Sequence, residues 1–226
     1  MAAQEGFQEV TLLGQTVNSY TDGKYDFADL LQMIVDVEGI RRVRFTSPHP
    51  SDFSDKVIDV MAANDKICRF VHLPVQSGST SVLEAMKRSY SVEEYMALVD
   101  KLRAAMPGLC LSTDVIAGFP GETEMDFEAT LALMREVQYD SAFLFKYSER
   151  KGTAAFKALP DTVTEEEKGR RLDAIISLQN AISVEINSGY IGRVEEVLIQ
   201  GKARKGEGMV IGKTDGFKNI VFQRDG

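Results

Sequence analysis

The sequence predicts an α/β fold: a partial barrel of parallel strands and helices over residues 1–186, then a small β module over 187–226. Three observations predict it. Short β-rich runs alternate with longer amphipathic runs through the first 186 residues, the pattern of βα units built on a parallel sheet. Runs such as Phe143-Leu144-Phe145 are apolar without alternation, as strands covered on both faces are. Near Asn187 the composition changes. Residues 187–226 hold 8 of the 18 glycines and seven Lys/Arg against five Asp/Glu, whereas the preceding 186 residues carry 19 against 29.

Strands are expected at Glu9–Leu13, Arg42–Thr46, Arg69–Leu73, Leu109–Ile116 and Ser141–Tyr147. Helices are expected at Phe27–Glu38, Ser54–Ala63, Ser79–Met86, Val92–Met106 and Glu124–Val137. Ser91-x-x-Glu94 reads as a capping box, in which each side chain satisfies a backbone donor at the helix start. Thr123 followed by Glu124 and Asp126 places acidic groups at the positive end of a helix dipole. Pro107-Gly108 stops the preceding helix. Five βα units are visible, and a full eight-fold barrel needs roughly 250 residues, so the barrel is partial or the sheet open. The first strand follows the N-terminus almost at once, as though a preceding unit were absent. A charged helix runs from Thr164 to Ser188. Beyond it, short strands at Glu195–Gln200, Gly208–Gly212 and Asn219–Gln223 alternate with Gly/Lys turns, an antiparallel set too small to close a barrel.

The chain is 44% hydrophobic and 27% charged, ordinary for a protein that buries a sizeable core. No apolar run approaches membrane-spanning length, and the N-terminus lacks the basic and apolar regions of a signal peptide, so a cytoplasmic protein is expected. Cys68, Cys110, His49 and His72 are scattered over separate elements and form no metal-ligand spacing; two buried, reduced thiols are expected. The net charge of −8 argues against a broad nucleic-acid surface.

In βα architectures ligands bind at the C-terminal ends of the strands. Those ends are polar and glycine-rich here: residues 12–20, 45–53, 72–80, 114–123 and 145–153. Alternation puts His72 on one face with Phe70 and Pro74, and Gln76 follows if the chain stays extended. Asp114, Ile116 and Gly118 share a face, while Lys146 and Tyr147 point opposite ways. A carboxylate in an apolar strand, such as Asp114, requires a partner or a ligand donor. Plainer roles stand beside these. Gln15, Asn18 and Ser19 can satisfy turn backbone groups, and His49, between two prolines, can hold its loop. His72 can be a satisfied core histidine, and Arg88 can be solvated. No nucleophile–base pair, P-loop or paired-carboxylate motif appears. Spacing alone reaches a βα enzyme with a polar rim pocket.

The stretches EVTLLGQTVNSY (9–20), RFTSPHPSDFSD (44–55), HLPVQSGSTSVLEAMKRSYS (72–91), TDVIAGFPGETEMDFEATL (113–131) and FLFKYSERKGTAA (143–155) resemble the methylthiotransferase branch of the radical-SAM superfamily. The resemblance is to the type that adds a methylthio group to isopentenyladenosine in tRNA. Residues 187–226 resemble the beginning of a TRAM domain, a small RNA-binding β module. The resemblance implies a partial radical-SAM (β/α) barrel lacking its first βα unit, and tRNA as partner. It implies S-adenosyl-L-methionine (SAM) and two 4Fe–4S clusters as cofactors of the full-length enzyme. It also implies a C-x-x-x-C-x-x-C cluster loop that these residues do not contain, so the chain alone is expected to be inactive and to contribute neither catalytic nor metal-ligating residues. The SAM-binding residues it implies are Gly14 and Gln15 at the amino group, Gln76 and Ser77 at the ribose or carboxylate end, and Ile116 and Gly118 beside adenine. Arg88, Asp114 and Tyr147 join them. The glutamate that usually stands three residues after that glycine is displaced to Glu122, four after it. Threonylcarbamoyladenosine in tRNA, a ribosomal protein, and a non-catalytic RNA-binding role are the rival functions. The exposed strand edge at Glu9–Leu13 predicts a homo-oligomer or a rearranged N-terminus.

Overall fold

Five parallel strands and their helices make up the body of the molecule, seen here in a computed structural model that describes residues 2–206 and 208–223. The strands are β1 (Glu9–Leu12), β2 (Arg42–Phe45), β3 (Phe70–His72), β4 (Cys110–Ala117) and β5 (Ser141–Lys146). β1 pairs with β2, and β3, β4 and β5 pair in that order, all parallel. The two groups are joined just before β3. The Val43 amide donates to the Lys66 carbonyl at 2.8 Å, and the Cys68 amide donates to the Val43 carbonyl at 3.0 Å. The result is one curved sheet whose strands follow chain order, within a residue or so of the expected positions. Among the described residues β1 is hydrogen-bonded to β2 only, so it forms an edge.

The helices are α1 (Phe27–Val35), α2 (Asp55–Ala63), α3 (Thr80–Ala85), α4 (Val92–Ala105), α5 (Glu124–Val137), α6 (Ala154–Ala158) and α7 (Glu165–Ser188). Their starts are set by local chemistry. Asp26, Ser91 and Thr123 each form a reciprocal capping box, and Ser54, Thr153 and Thr164 each accept one backbone donor. Each such cap contributes about 1 kcal/mol. α6 is absent from the sequence expectations, because five residues leave no periodicity to read. Among the described residues no helix is long and apolar enough to cross a membrane.

The sheet has two unlike faces. Val43, Phe45, Val71, Leu73, Leu111, Val115 and Ala117 are buried in the core shared with the helices. Tyr95 and Tyr139 lie fully buried within it, their hydroxyls satisfied by the Leu73 carbonyl at 2.8 Å and by each other at 2.9 Å. The alternate residues, among them Arg42, Arg44, Phe70, His72, Asp114 and Ile116, belong to the opposite, concave face.

After α7 come β6 (Val197–Lys202), β7 (Met209–Thr214) and β8 (Asn219–Gln223), an antiparallel meander with a bulge at Ile199/Gly201. β6 and β7 sit one or two residues later than expected, because their mutual register, Val197 opposite Thr214, decides where pairing starts. The β7–β8 turn closes the floor of the concave face. Arg44 donates to the Thr214 and Asp215 carbonyls at 2.8 Å each, and Arg42 donates to the Lys213 carbonyl at 2.6 Å. Asp215 accepts the Arg69 amide at 2.8 Å, and Phe217 stacks on Phe70 with centroids 4.6 Å apart.

Candidate functional site

Two neighbouring cavities open at the C-terminal ends of the strands. One, of about 200 Å³, is polar: it lies among the loops after β1, β2 and β3 and is lined by Gln15, Ser47, Pro48, His49, Pro50, His72, Pro74, Gln76, Arg88 and Asp114. The other, of about 330 Å³, is apolar and includes Ile116, Phe119, Tyr147, Leu159 and the α3 end, with Arg88 common to both. Six of the nine expected residues therefore meet here: Gln15, Gln76, Arg88, Asp114, Ile116 and Tyr147. Gly14, Ser77 and Gly118 line neither cavity.

Those three have structural reasons to be elsewhere. Gly14 is exposed beside Gln15, close over the backbone of Val17. Ser77 is fully buried under the rim, where its hydroxyl accepts the Ser79 amide at 3.2 Å and lies 3.4 Å from the Thr130 hydroxyl of α5. Next to it, the Gly78 amide donates to Thr130 at 2.9 Å, and a Cβ on Gly78 would meet the Thr130 Cα at 2.5 Å. Residues 77–79 are thus seated on α5. Gly118 has φ +74°, and a Cβ there would meet the Lys168 side chain of α7 at 2.3 Å. Its amide donates to the Glu122 carboxylate at 2.7 Å, which also accepts Arg171 at 2.7 Å. Burial pushes the Glu122 carboxyl above its ordinary range, against the pull of Arg171 and of the Gly118 amide. Glu122 is therefore a brace for the rim turn rather than a lining residue.

The polar chamber is held by strained and cross-linked backbone. Gln76 and Ser47 adopt φ of +72° and +58°, a region that costs a side-chain-bearing residue on the order of 1 kcal/mol or more. The Gln76 amide and carbonyl still pair with β4, to the Asp114 carbonyl and from the Ile116 amide, at 2.9 Å each. The surrounding sheet thus enforces the turn. Asn18 grips the His49 backbone from both sides, accepting its amide at 2.8 Å and donating to its carbonyl at 2.9 Å. Asn18 and His49 are the loop-holders that the plainer reading expects. His72 is satisfied, with Nδ1 2.8 Å from the Ser112 hydroxyl and Nε2 3.4 Å from Asp114. The Asp114 carboxylate thus lies beside His72 at the chamber wall. Tyr147 turns to the apolar chamber while Lys146 leaves it to pair with Glu165 at 2.7 Å. Burial raises the Tyr147 phenol above its ordinary value, with Glu149 and Asp161 adding to the effect.

Sequence reading passes over Ser47, Phe119 and α6. The loop holding Ser47 is recognisably a rim loop, but nothing in it signals a left-handed serine.

Cys68 and Cys110 lie at the other end of the strands. Burial pushes the Cys68 thiol far up and the Cys110 thiol to about 11, whereas a metal centre needs thiolates. Among the described residues no group of three or more His, Cys, Asp or Glu is placed to hold a metal ion. These two thiols do not fit an iron–sulfur cluster. A cavity of about 860 Å³ is also at that end, between the β6–β8 meander and Phe70, Asp140 and Tyr190. The rim is where a ligand with a charged end and a flat apolar end finds both environments side by side.

A model of the radical SAM superfamily matches residues 1–134. The chain is 51% identical over 221 residues to the tRNA-2-methylthio-N(6)-dimethylallyladenosine synthase of Carboxydothermus hydrogenoformans, an alignment covering 96% of this chain and 50% of that protein. It is 48% identical over 227 residues to the protein of the same name from Chlorobium phaeobacteroides, covering 99% and 51%. The chain spans about half the length of the curated relatives it matches. Among solved structures, coproporphyrinogen III oxidase (HemN) from Escherichia coli, a radical SAM enzyme, superposes with a TM-score of 0.62 at 16% identity, covering 91% of this chain and 52% of that one. Methylornithine synthase (PylB) superposes with a TM-score of 0.54 at 15% identity, covering 79% and 49%. At these identities the two structures speak for the fold alone.

Proposed function

Since this chain belongs to the radical SAM superfamily, we propose that it forms the SAM-facing barrel of a tRNA methylthiotransferase acting on dimethylallyladenosine. The observation that carries the proposal is identity of about one half, over nearly the whole chain, to proteins named for that modification.

The rim supports the reading chemically. SAM pairs a zwitterionic amino-acid end with a ribose and a flat adenine. Gln15 and the Gly14 backbone would meet the amino group, and Gln76 and Arg88 the carboxylate and ribose. Asp114 can accept from an ammonium or a ribose hydroxyl. Ile116 and Tyr147 offer adenine an apolar chamber, while Ser77 and Gly118 act by shaping the turns that present the others. When bound, SAM supplies the adenosyl radical and the methyl group of such chemistry. The chain's own residues orient the cofactor and exclude water from its adenine. The iron–sulfur ligands that the superfamily uses would be residues other than Cys68 and Cys110. Residues 187–226, with their glycine-rich strands and their balance of +2, would be a TRAM-like domain presented to RNA, and tRNA the partner.

Disruption of the gene encoding this chain, followed by mass spectrometry of tRNA nucleosides, tests the proposal. The methylthio derivative of dimethylallyladenosine should vanish while its unmodified precursor accumulates. Persistence of that derivative, or loss of a methylthiolated threonylcarbamoyladenosine instead, overturns it.

A further inference from the structure

On the concave face of β5, Phe143 and Phe145 are 60% and 51% exposed, unlike the buried residues on the other face of the sheet. They stand opposite Asp114 and Ile116 in the β4–β5 register. Phe143 meets His72 edge-on, with centroids 5.7 Å apart. Towards the other end of the same face, Phe217 stacks on Phe70, and Arg44 holds the turn that carries Phe217. A molecule entering from the rim therefore finds polar groups on β3 and β4 and an aromatic wall on β5.

We propose that Phe143 and Phe145 are specificity-determining residues that receive the apolar N6 substituent of the purine being modified. The inference rests on the function proposed above and locates that substrate's tail. Two rings on alternate residues of a strand are about 7 Å apart, a span that suits a branched five-carbon chain. Covering them removes apolar surface from water on both partners. The same wall selects against a substituent ending in a carboxylate, which would lose its hydration there without gaining a cation. The wall is continuous with Asp114 and Ile116, which line the two rim chambers, so the base and the cofactor would lie side by side.

Saturation-transfer NMR titrations of the 226-residue chain with N6-(dimethylallyl)adenosine, adenosine and N6-threonylcarbamoyladenosine test this. The prenylated nucleoside should bind about tenfold more tightly than either of the others. That preference should disappear in Phe143→Ser/Phe145→Ser and survive in Phe143→Leu/Phe145→Leu, which keeps the wall apolar. Both residues are exposed, so the substitutions leave the core intact. Equal affinities in the wild type, or a preference unchanged by the serine pair, overturn the assignment. Neither outcome touches the proposed function, which the tRNA nucleoside profile decides separately.

Discussion

Arg44→Met removes the cation that ties the β6–β8 meander to the barrel floor. The guanidinium is almost fully buried and makes three hydrogen bonds: to Glu9 at 3.0 Å and to the Thr214 and Asp215 carbonyls at 2.8 Å each. Methionine fills much of the space but satisfies none of them. Glu9, itself only 16% exposed at its side chain, is left without its cation. Breaking a buried ion pair from one side costs about 3–5 kcal/mol. The value here should fall near the lower end, at about 3 kcal/mol, because the Glu9 carboxylate retains some water. That is a large share of the roughly 5–15 kcal/mol that holds a typical domain folded. Urea unfolding followed by circular dichroism measures the loss. Trypsin cleavage at Arg193, in the connection between α7 and β6, reports whether the meander loosens. Adding Glu9→Leu should recover at least about 1 kcal/mol, since an apolar pair no longer strands a charge. A loss under about 1 kcal/mol with unchanged cleavage would show that the floor is held by something other than this clamp.

Gly118→Ala should cost about 1–3 kcal/mol, because the new Cβ meets Lys168 at 2.3 Å in a backbone at φ +74°; an equally stable variant refutes the close-approach argument. At the rim, burial works to raise the Asp126 carboxyl, but hydrogen bonds from Ser79, Thr123 and Ser81 outweigh it and hold the pKa at about 2. Its stabilisation is therefore full above the unfolded value near 4 and is lost as the pH falls through about 2, at most about 2 kcal/mol. Asp126→Asn should remove that part of the acid titration of stability, and an unchanged profile between pH 4 and 2 contradicts it. Neither Cys68 nor Cys110 should be alkylated by iodoacetamide at pH 8 in the folded chain, given burial and raised thiol pKa values. Rapid modification of either, or an iron–sulfur absorbance band after anaerobic reconstitution of residues 1–226, would refute the statement that these thiols are not cluster ligands.

Much of the site was legible because strand alternation and the location of βα ligand sites are local and general rules. His72, Pro74 and Gln76 do line one chamber, and Asp114 and Ile116 face the same side of β4. The burial of Ser77 is not legible in the same way, because it depends on Thr130, 53 residues away on α5. Nor does the sequence reveal that the Lys168 side chain of α7 packs against Gly118. In both cases the deciding partner lies in a distant helix whose packing no spacing rule encodes.

The sequence by itself determined the order and kind of the elements other than the five-residue α6, the helix starts at Ser91 and Thr123, the change of character near Asn187 and the loops that converge on the rim. Those follow from periodicity and from hydrogen bonds within a few residues. Tertiary structure alone decided that the meander's turn is tied to Arg42 and Arg44 of β2, that Glu122 braces rather than lines the rim, and that Phe143 and Phe145 stay exposed beside Asp114 and Ile116. Each of these depends on side chains from segments far apart in the chain, whose meeting is settled by the packing of the whole sheet.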